Sequence, residues 1–417
     1  MNVMDDGART AAAHRTLSAD VVVVGARVAG AAAATHLARA GHDVLVLDRA
    51  EFPSDTISTH VIARSGMVQL ARLGVVEALV AGGAPPLRRV ELTSHVGTVS
   101  KDIRDRLGIS FLLAPRRYAL DAALQQAALA AGARLRQGCS VEGVIRDSTD
   151  RVVGVRAHDG DGPVDVLARH VVGADGLSSR IARSVRAALT IVEPSSGACQ
   201  YAYVTGSWDA IEYHLVDGVF AGVFPTHDGA ACVWAITPEE VARRYRHAGR
   251  GADEAFVNLL LDRVPELAAR VASGSGTTPV RGMLRMPNHF REACGPGWSL
   301  VGDAGYHRDA ITGHGISDAL WAAELLAEAV DTGLRCPALE TVAMAEYAAN
   351  RDRLAARIFQ ITVALAAFPD RDTFVGLQRE LALEIDVLAD ELHHRPQPCR
   401  REAPALERQP AVSLSLT

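Results

Sequence analysis

The stretch "VVVVGARVAGAAAA", Val21 to Ala34, constrains the fold more than any other part of the chain. Its apolar run from Asp20 to Gly25 suits a buried strand, and Ala29 to Ala40 reads as a helix stopped by Gly41. "HDVLVLD" then supplies a second strand ending at Asp48, which completes a β-α-β unit. In such a unit the turn after the first strand aims backbone N–H groups and a helix N-terminus at a pyrophosphate, and an acid ending the second strand takes a ribose hydroxyl. Gly25, Gly30 and Asp48 meet those demands, Asp48 lying 23 positions after Gly25 where ~20 is usual. The middle glycine of G-x-G-x-x-G is Arg27 here, so either the loop shifts slightly or the guanidinium itself pairs with phosphate.

The rest of the chain is organised around this unit. "RRYALDAALQQAALAAGARLRQGCSVEGV" reads as helix, glycine stop and strand near Val141, and a D-G-D-G turn within residues 151–176 predicts a hairpin feeding a buried strand. Residues 197–280 change to short aromatic-rich strands with a helical insert near Asp253 to Ser273, and two amphipathic helices separated at Pro369 follow from Ala338 to Leu392. The expected organisation is a flexible N-terminus at 1–18 and a discontinuous cofactor domain at 19–85, 112–190 and 281–335. A substrate domain is expected at 86–111 and 191–280, C-terminal helices at 336–394 and a disordered tail at 395–417. Hydrophobic residues make up 48% and charged ones 22% of 417 residues, with net charge −6, which suits a soluble enzyme and gives no basic excess for nucleic acid. No apolar run reaches the ~20 residues of a membrane span and the N-terminus lacks a secretory h-region, so a cytoplasmic location is expected. The six cysteines form no C-x-x-C pair, and no metal site is expected.

Two further motifs stand with the first. "VVGADGLSSRIAR" sets Asp175-Gly176 after a strand, and "WSLVGDAGYHRDAITGHGISDAL" sets Gly302-Asp303 after another, followed by a glycine turn into a helix. In this order and spacing the three motifs resemble the FAD-dependent monooxygenases of the p-hydroxybenzoate hydroxylase fold, together with flavin halogenases and geranylgeranyl reductases, over residues 18–335. The resemblance implies a Rossmann-like α/β FAD-binding domain with an inserted α+β antiparallel-sheet substrate domain and C-terminal helices.

It implies that Gly25, Val28, Ala29, Gly30 and Asp48 hold the ADP half of FAD, with Arg49 beside the adenosine and the backbone of Val141 near adenine. Arg117, or Arg116, would contact the flavin chain, and Asp303 the ribityl chain. Gly313, His314, Gly315 and Ile316 would present backbone N–H groups to the flavin pyrimidine, where negative charge develops on reduction. Asp175 belongs to a shared FAD and nicotinamide motif or simply makes a turn.

The chain departs from the family at Ala310, where proline is usual, and at Tyr306, where histidine is usual. His60 in "FPSDTISTHVI" and Asp309 are candidate catalytic groups, and Tyr201, Tyr213 and Phe224 candidate walls of a substrate pocket. The activity so implied is an NADPH- or NADH-driven monooxygenase that uses oxygen, through a flavin C4a-hydroperoxide, on an apolar or aromatic small molecule of secondary metabolism. The chain would act as a monomer or homodimer. The alternative is a flavin-dependent alkene reductase, with a non-enzymatic flavin module behind it. A halogenase fits less well, because Lys101 is the only lysine and lacks that group's surrounding pattern.

Overall fold

The structure is a computed structural model that describes residues 15–58, 61–194 and 197–396. Arg15–Val24 is the central strand of a parallel sheet. Val44–Leu47 flanks it with Val24 opposite Leu47, and Gly162–Gly173 flanks its other side with Val24 opposite Gly173. Arg134–Arg136 and Trp298–Leu300 extend the sheet in parallel beyond those two. Helices cover the face where Val21 and Val23 pack, while residues of strands Ser140–Arg146 and Val152–Asp159 and helix Arg180–Val185 form the core around Val22 on the other, so all three valines are fully buried; burial on both faces explains a continuous valine run where a one-sided strand would alternate. Helix Val28–Arg39 packs between helices Arg117–Ala130 and Gly315–Arg335.

The parallel order has one consequence for function. Gly25, Asp48, Ala174 and Val301 each follow the carboxyl end of a parallel strand, so all three motifs emerge along one edge of the sheet. In open α/β sheets that edge is where ligands bind.

The second sheet runs Gly276–Thr277, Gly197–Thr205, Ala230–Pro238, Val219–Pro225, Ile211–Val216, Arg89–Ser94 and Gly97–Asp102. Strand periodicity sorts its residues into two faces. Ala202, Val204, Val219, Ala221, Val223, Val233 and Ala235 pack under helices Ala252–Arg263 and Pro265–Ala272. Tyr201, Tyr203, Phe220, Phe224, Trp234 and Ile236 point the other way, into the core shared with the first sheet. Gly222 lies opposite Trp234 in the pairing, and a Cβ there would come within 2.5 Å of the indole. Its missing side chain is what lets the tryptophan lie flat across the strand.

Two long helices, Glu340–Ala366 and Arg371–His394, close the aromatic side. The second is fastened at its C-terminus by Arg72, whose Nη2 donates to the carbonyls of Leu392, His393 and Arg395.

Three expected boundaries need correction. Residues 15–18 are strand, not a flexible lead, because the long hairpin arm Gly162–Gly173 offers each of them a partner, from Arg15 opposite Val164 to Ser18 opposite Leu167. Arg281–Leu284 pairs with Gly197–Thr205 and so belongs to the second sheet rather than to the cofactor domain. Leu189–Glu193 instead joins Asn288–Arg291 and Tyr306–His307 in a small third sheet. Residues 1–14 and the tail beyond 396 lie outside the described residues.

Candidate active site

The turn after the first strand is built by close backbone approach. Gly25 has φ +106°, and a Cβ on it would sit 2.4 Å from the carbonyl oxygen of Ala174; one on Gly30 would sit 1.8 Å from the carbonyl oxygen of Gly25. Asp48 is buried, accepting from the N–H of Ala26 at 2.7 Å and of Ala50 at 2.8 Å, which locks the second strand's end to the turn. The N–H of Cys139 bonds the carbonyl of Asp48, bringing the chain just before Val141 alongside; Val141 itself is buried in the strand that follows, and Arg49 is exposed at the rim. Helix Val28–Arg39 has no side-chain cap and no acid in its first turn. Its N–H groups and positive end are left for an anion.

Arg27 is held by partners within the protein. Its Nη1 pairs with Asp121 Oδ2 at 2.6 Å, its Nη2 donates to Ser54 Oγ at 3.0 Å, and its guanidinium lies 5.2 Å from the Phe52 ring centroid. Arg117 Nη2 donates to the other oxygen of the same, fully buried, carboxylate at 3.0 Å. Two guanidiniums share one acid, so the cluster carries a net positive charge beside the uncapped helix. Arg116 turns away: it pairs with Asp55 at 2.6 Å and lies 3.5 Å from the Tyr203 ring centroid.

The third motif docks on the first through small residues. Gly302 has φ +61°, and a Cβ there would come within 2.8 Å of Ala29 Cβ. Asp303 is exposed on that turn. Farther on, Asp309 Oδ1 accepts from the N–H of Ile311 at 3.0 Å, and the N–H of Asp309 donates to Asn288 Oδ1 at 2.7 Å. The carboxylate therefore caps the turn Ala310–Thr312, after which Gly313 takes φ +67° and helix Gly315–Arg335 starts without a side-chain cap. Gly315 is exposed and Ile316 half-buried, so this helix start also opens outward.

Behind it Arg308 Nη2 and Asp318 Oδ2 form an ion pair at 2.5 Å, both side chains almost wholly buried. Burial pushes the Asp318 carboxyl up, with Arg308 opposing. Asp175 serves a neighbouring element, accepting from Ser179 Oγ and from the N–H groups of Arg180 and Ile181 at the start of helix Arg180–Val185.

A cavity of ≈190 Å³ lies between this turn, the aromatic sheet face and helix Arg371–His394. Tyr213, Phe220, Phe224, Trp234 and Ile236 form one wall, Ala310 to His314 the floor, and Gln378, Leu381, Ala382 and Ile385 the roof. Of the three expected pocket residues, Tyr213 and Phe224 line it. Tyr201 does not: its hydroxyl accepts from the N–H of Ser58 at 3.4 Å. His60 lies outside the described residues. Burial and the nearby Arg308 charge hold the His314 imidazole far below its ordinary range, at about 3, so it is neutral.

Residues 18–255, more than half of the chain, match the family described as FAD binding domain. The chain belongs to this FAD-binding family. The menaquinone reductase of Mycobacterium tuberculosis is 29% identical over 327 residues, covering 76% of this chain and 77% of that protein. Digeranylgeranylglycerophospholipid reductase 1 of Methanopyrus kandleri is 28% identical over 338 residues, covering 75% and 81%. Among solved structures, the probable FAD-dependent monooxygenase pqsL from Pseudomonas aeruginosa superposes with a TM-score of 0.75 at 22% identity, covering 87% of this chain and all of that one. The protein is accordingly an FAD-dependent oxidoreductase with the expected mixed α/β fold.

FAD fits the geometry on two observations: both helix starts at the sheet edge lack side-chain caps, and Gly25, Gly30 and Gly302 sit where a side chain would collide. Asp121, Ser54, Trp234, Gln378 and the Arg308–Asp318 pair escaped sequence reasoning. The arginine at position 27 was the one available signal, since a guanidinium beside a phosphate loop needs an acid somewhere.

Proposed function

We propose that this protein is an NADPH- or NADH-dependent FAD monooxygenase that oxygenates a small apolar or aromatic molecule held in the 190 Å³ cavity. The cavity carries the reading: it is aromatic-walled and floored by the same turn, Ala310 to His314, that leads into the uncapped helix start. FAD, when bound, supplies hydride acceptance and oxygen activation. Gly25, Val28, Ala29 and Gly30 would receive its pyrophosphate, Asp48 a ribose hydroxyl, and Asp303 the ribityl chain. The N–H groups of Gly313, His314, Gly315 and Ile316 would face the flavin pyrimidine, where the positive helix end favours added negative charge. Arg117 and Arg27 lend net positive charge to the ADP half through Asp121. Tyr213, Phe220, Phe224 and Trp234 exclude water from the chamber. The nicotinamide would bind only transiently.

The alkene reductase is the second reading, favoured by the reductase relatives and by Ala310 in place of the proline expected beside the flavin. Purified FAD-loaded protein with NADPH or NADH in an oxygen electrode separates the two. Compound-stimulated uptake of ¹⁸O₂ with one labelled oxygen in the product supports oxygenation. Anaerobic turnover giving a product two hydrogens heavier refutes it in favour of the reductase.

A further inference from the structure

A second cavity, of ≈310 Å³, lies away from the sheet edge that carries the glycine turns. It sits beside Val330, Gly333 and Leu334, in the last two turns of helix Gly315–Arg335, whose other end starts at the Gly313 turn. A helix of 21 residues spans ~30 Å, so the two places stand at its opposite ends. Protein interiors leave few voids larger than a water, and this one is about twice the ~150 Å³ that encloses benzene.

Val330, Leu334, Pro337 and Met344 give the cavity an apolar wall, and Arg151, Arg169, His170 and Glu340 a polar one. Arg151 is already matched, since its Nη1 and Nη2 donate to the two Glu340 oxygens at 2.9 and 2.8 Å. Arg169 has no such match. Its Nη2 donates to the uncharged Leu334 carbonyl, and its Nη1 reaches Asp20 at 3.3 Å in an exposed pair whose attraction water screens. The lining therefore sets two guanidiniums against one carboxylate. His170 adds no charge, because burial holds its imidazole at about 4. Its Nε2 bonds Ser299 Oγ at 2.9 Å. Its Nδ1 makes no hydrogen bond among the described residues and, unlike the unbonded Nε2 atoms of His36 and His289, is not closed off by neighbouring atoms. At 2% exposure, His170 has the cavity it lines as its opening. The Ser299 hydroxyl can donate to Nε2, which leaves the ring proton on Nδ1 as a donor.

We propose that this cavity is a second ligand site, taking a small carboxylate with a short apolar body. One carboxylate oxygen accepts from Arg169 and the other from His170 Nδ1, while the body packs against Val330, Leu334, Pro337 and Met344. A charge-assisted bond to a guanidinium favours the anion, and a cation of the same shape meets the excess arginine charge. The site does not depend on the flavin reading. Its distance from the Gly313 turn makes the ligand an effector rather than a substrate.

The test is titration calorimetry with hexanoate, 1-hexanol, hexylammonium and acetate, on FAD-loaded and FAD-free protein. Hexanoate is expected to bind about tenfold more tightly than either 1-hexanol or acetate, and hexylammonium more weakly than 1-hexanol. Its affinity should be the same within about threefold with and without FAD. Arg169→Gln should bring hexanoate down to the level of 1-hexanol and leave 1-hexanol unchanged. Glu340→Gln, which releases Arg151, should tighten hexanoate about threefold or more. The wild-type series decides the matter even where a variant is unstable: hexanoate bound no better than 1-hexanol overturns the proposal. Hexanoate binding that Arg169→Gln leaves unchanged, or that FAD abolishes, also overturns it, since the ligand would then sit elsewhere. A protein that never retains FAD yet binds hexanoate through Arg169 removes the flavin reading and supports this site.

Discussion

Replacing Arg27 by the glycine usual at that position tests what the residue does. The structure makes it a brace: Nη1 pairs with Asp121 at 2.6 Å and reaches the Ser54 carbonyl at 3.4 Å, and Nη2 donates to Ser54 Oγ at 3.0 Å. A hydrogen bond to a charged group contributes about 1.5–3 kcal/mol and a neutral one about 1. Asp121 keeps Arg117, so Arg27→Gly does not strand the acid, which holds the expected loss to about 2–4 kcal/mol rather than the upper range for a broken buried pair. Asp121→Asn should cost at least as much, because it removes that contact and also the charge opposite Arg117. The double variant should then cost little more than Asp121→Asn alone, a coupling of about 1.5–3 kcal/mol in urea unfolding of FAD-free protein. Additive losses, with coupling under about 0.5 kcal/mol, together with a tenfold fall in FAD affinity for Arg27→Gly alone, would refute the brace and make Arg27 a phosphate ligand.

Further outcomes follow from the same geometry. Gly30→Ala puts a Cβ 1.8 Å from a backbone oxygen, so the variant should lose FAD or fail to fold; a spectrum showing wild-type FAD content would contradict the packing. Gly222→Val should displace the Trp234 indole and weaken ligand binding tenfold or more, with FAD affinity changed by less than about threefold, as read by calorimetry and flavin fluorescence. Burial lowers the imidazoles of His36, His170 and His289 to about 4, and His314 to about 3, from an ordinary 6.5. The unfolded chain therefore takes up protons below pH 6.5 that the folded one refuses. Stability should be level above about pH 6.5 and fall towards pH 4, and His170→Gln should flatten that slope in urea titrations; an unchanged slope would count against the buried neutral His170.

What could be read from the sequence was whatever the backbone demands locally. Gly25, Gly30, Gly302 and Gly313 mark turns where a side chain collides or φ is positive, and each sits beside the strand or helix that makes the demand. The aromatic richness of the second sheet likewise offered Tyr213 and Phe224, on the face turned to the first sheet, as pocket walls. It could not separate Tyr201, which shares that face but meets Ser58, from Trp234, which lines the chamber. Asp121 lies 94 positions from Arg27, and Gln378 reaches the chamber from a helix that reads as a plain amphipathic cap. Neither contact leaves a local trace, because tertiary folding alone brings the pairs together.

The departures from the family pattern share a physical logic. Arg27 inserts a charge into a phosphate turn and is answered by the buried Asp121. Tyr306, where histidine is usual, sets its ring centroid 4.5 Å from that of Phe290 at a 36° tilt, and Arg308, two positions on, pairs with Asp318. At both places the side chain differs and the backbone turn survives, and the charges there, Arg27 and Arg308, each have an opposite within about 2.6 Å. A turn that works through N–H groups and a helix end tolerates such exchange. Burial first, and the Arg308 charge second, hold the His314 imidazole neutral. Asp318→Asn removes the charge opposite Arg308 and should therefore keep the imidazole neutral, read by NMR as an unprotonated His314 ring in the folded variant at pH 5. A protonated His314 ring at that pH would show that burial and the Arg308 charge do not hold it neutral.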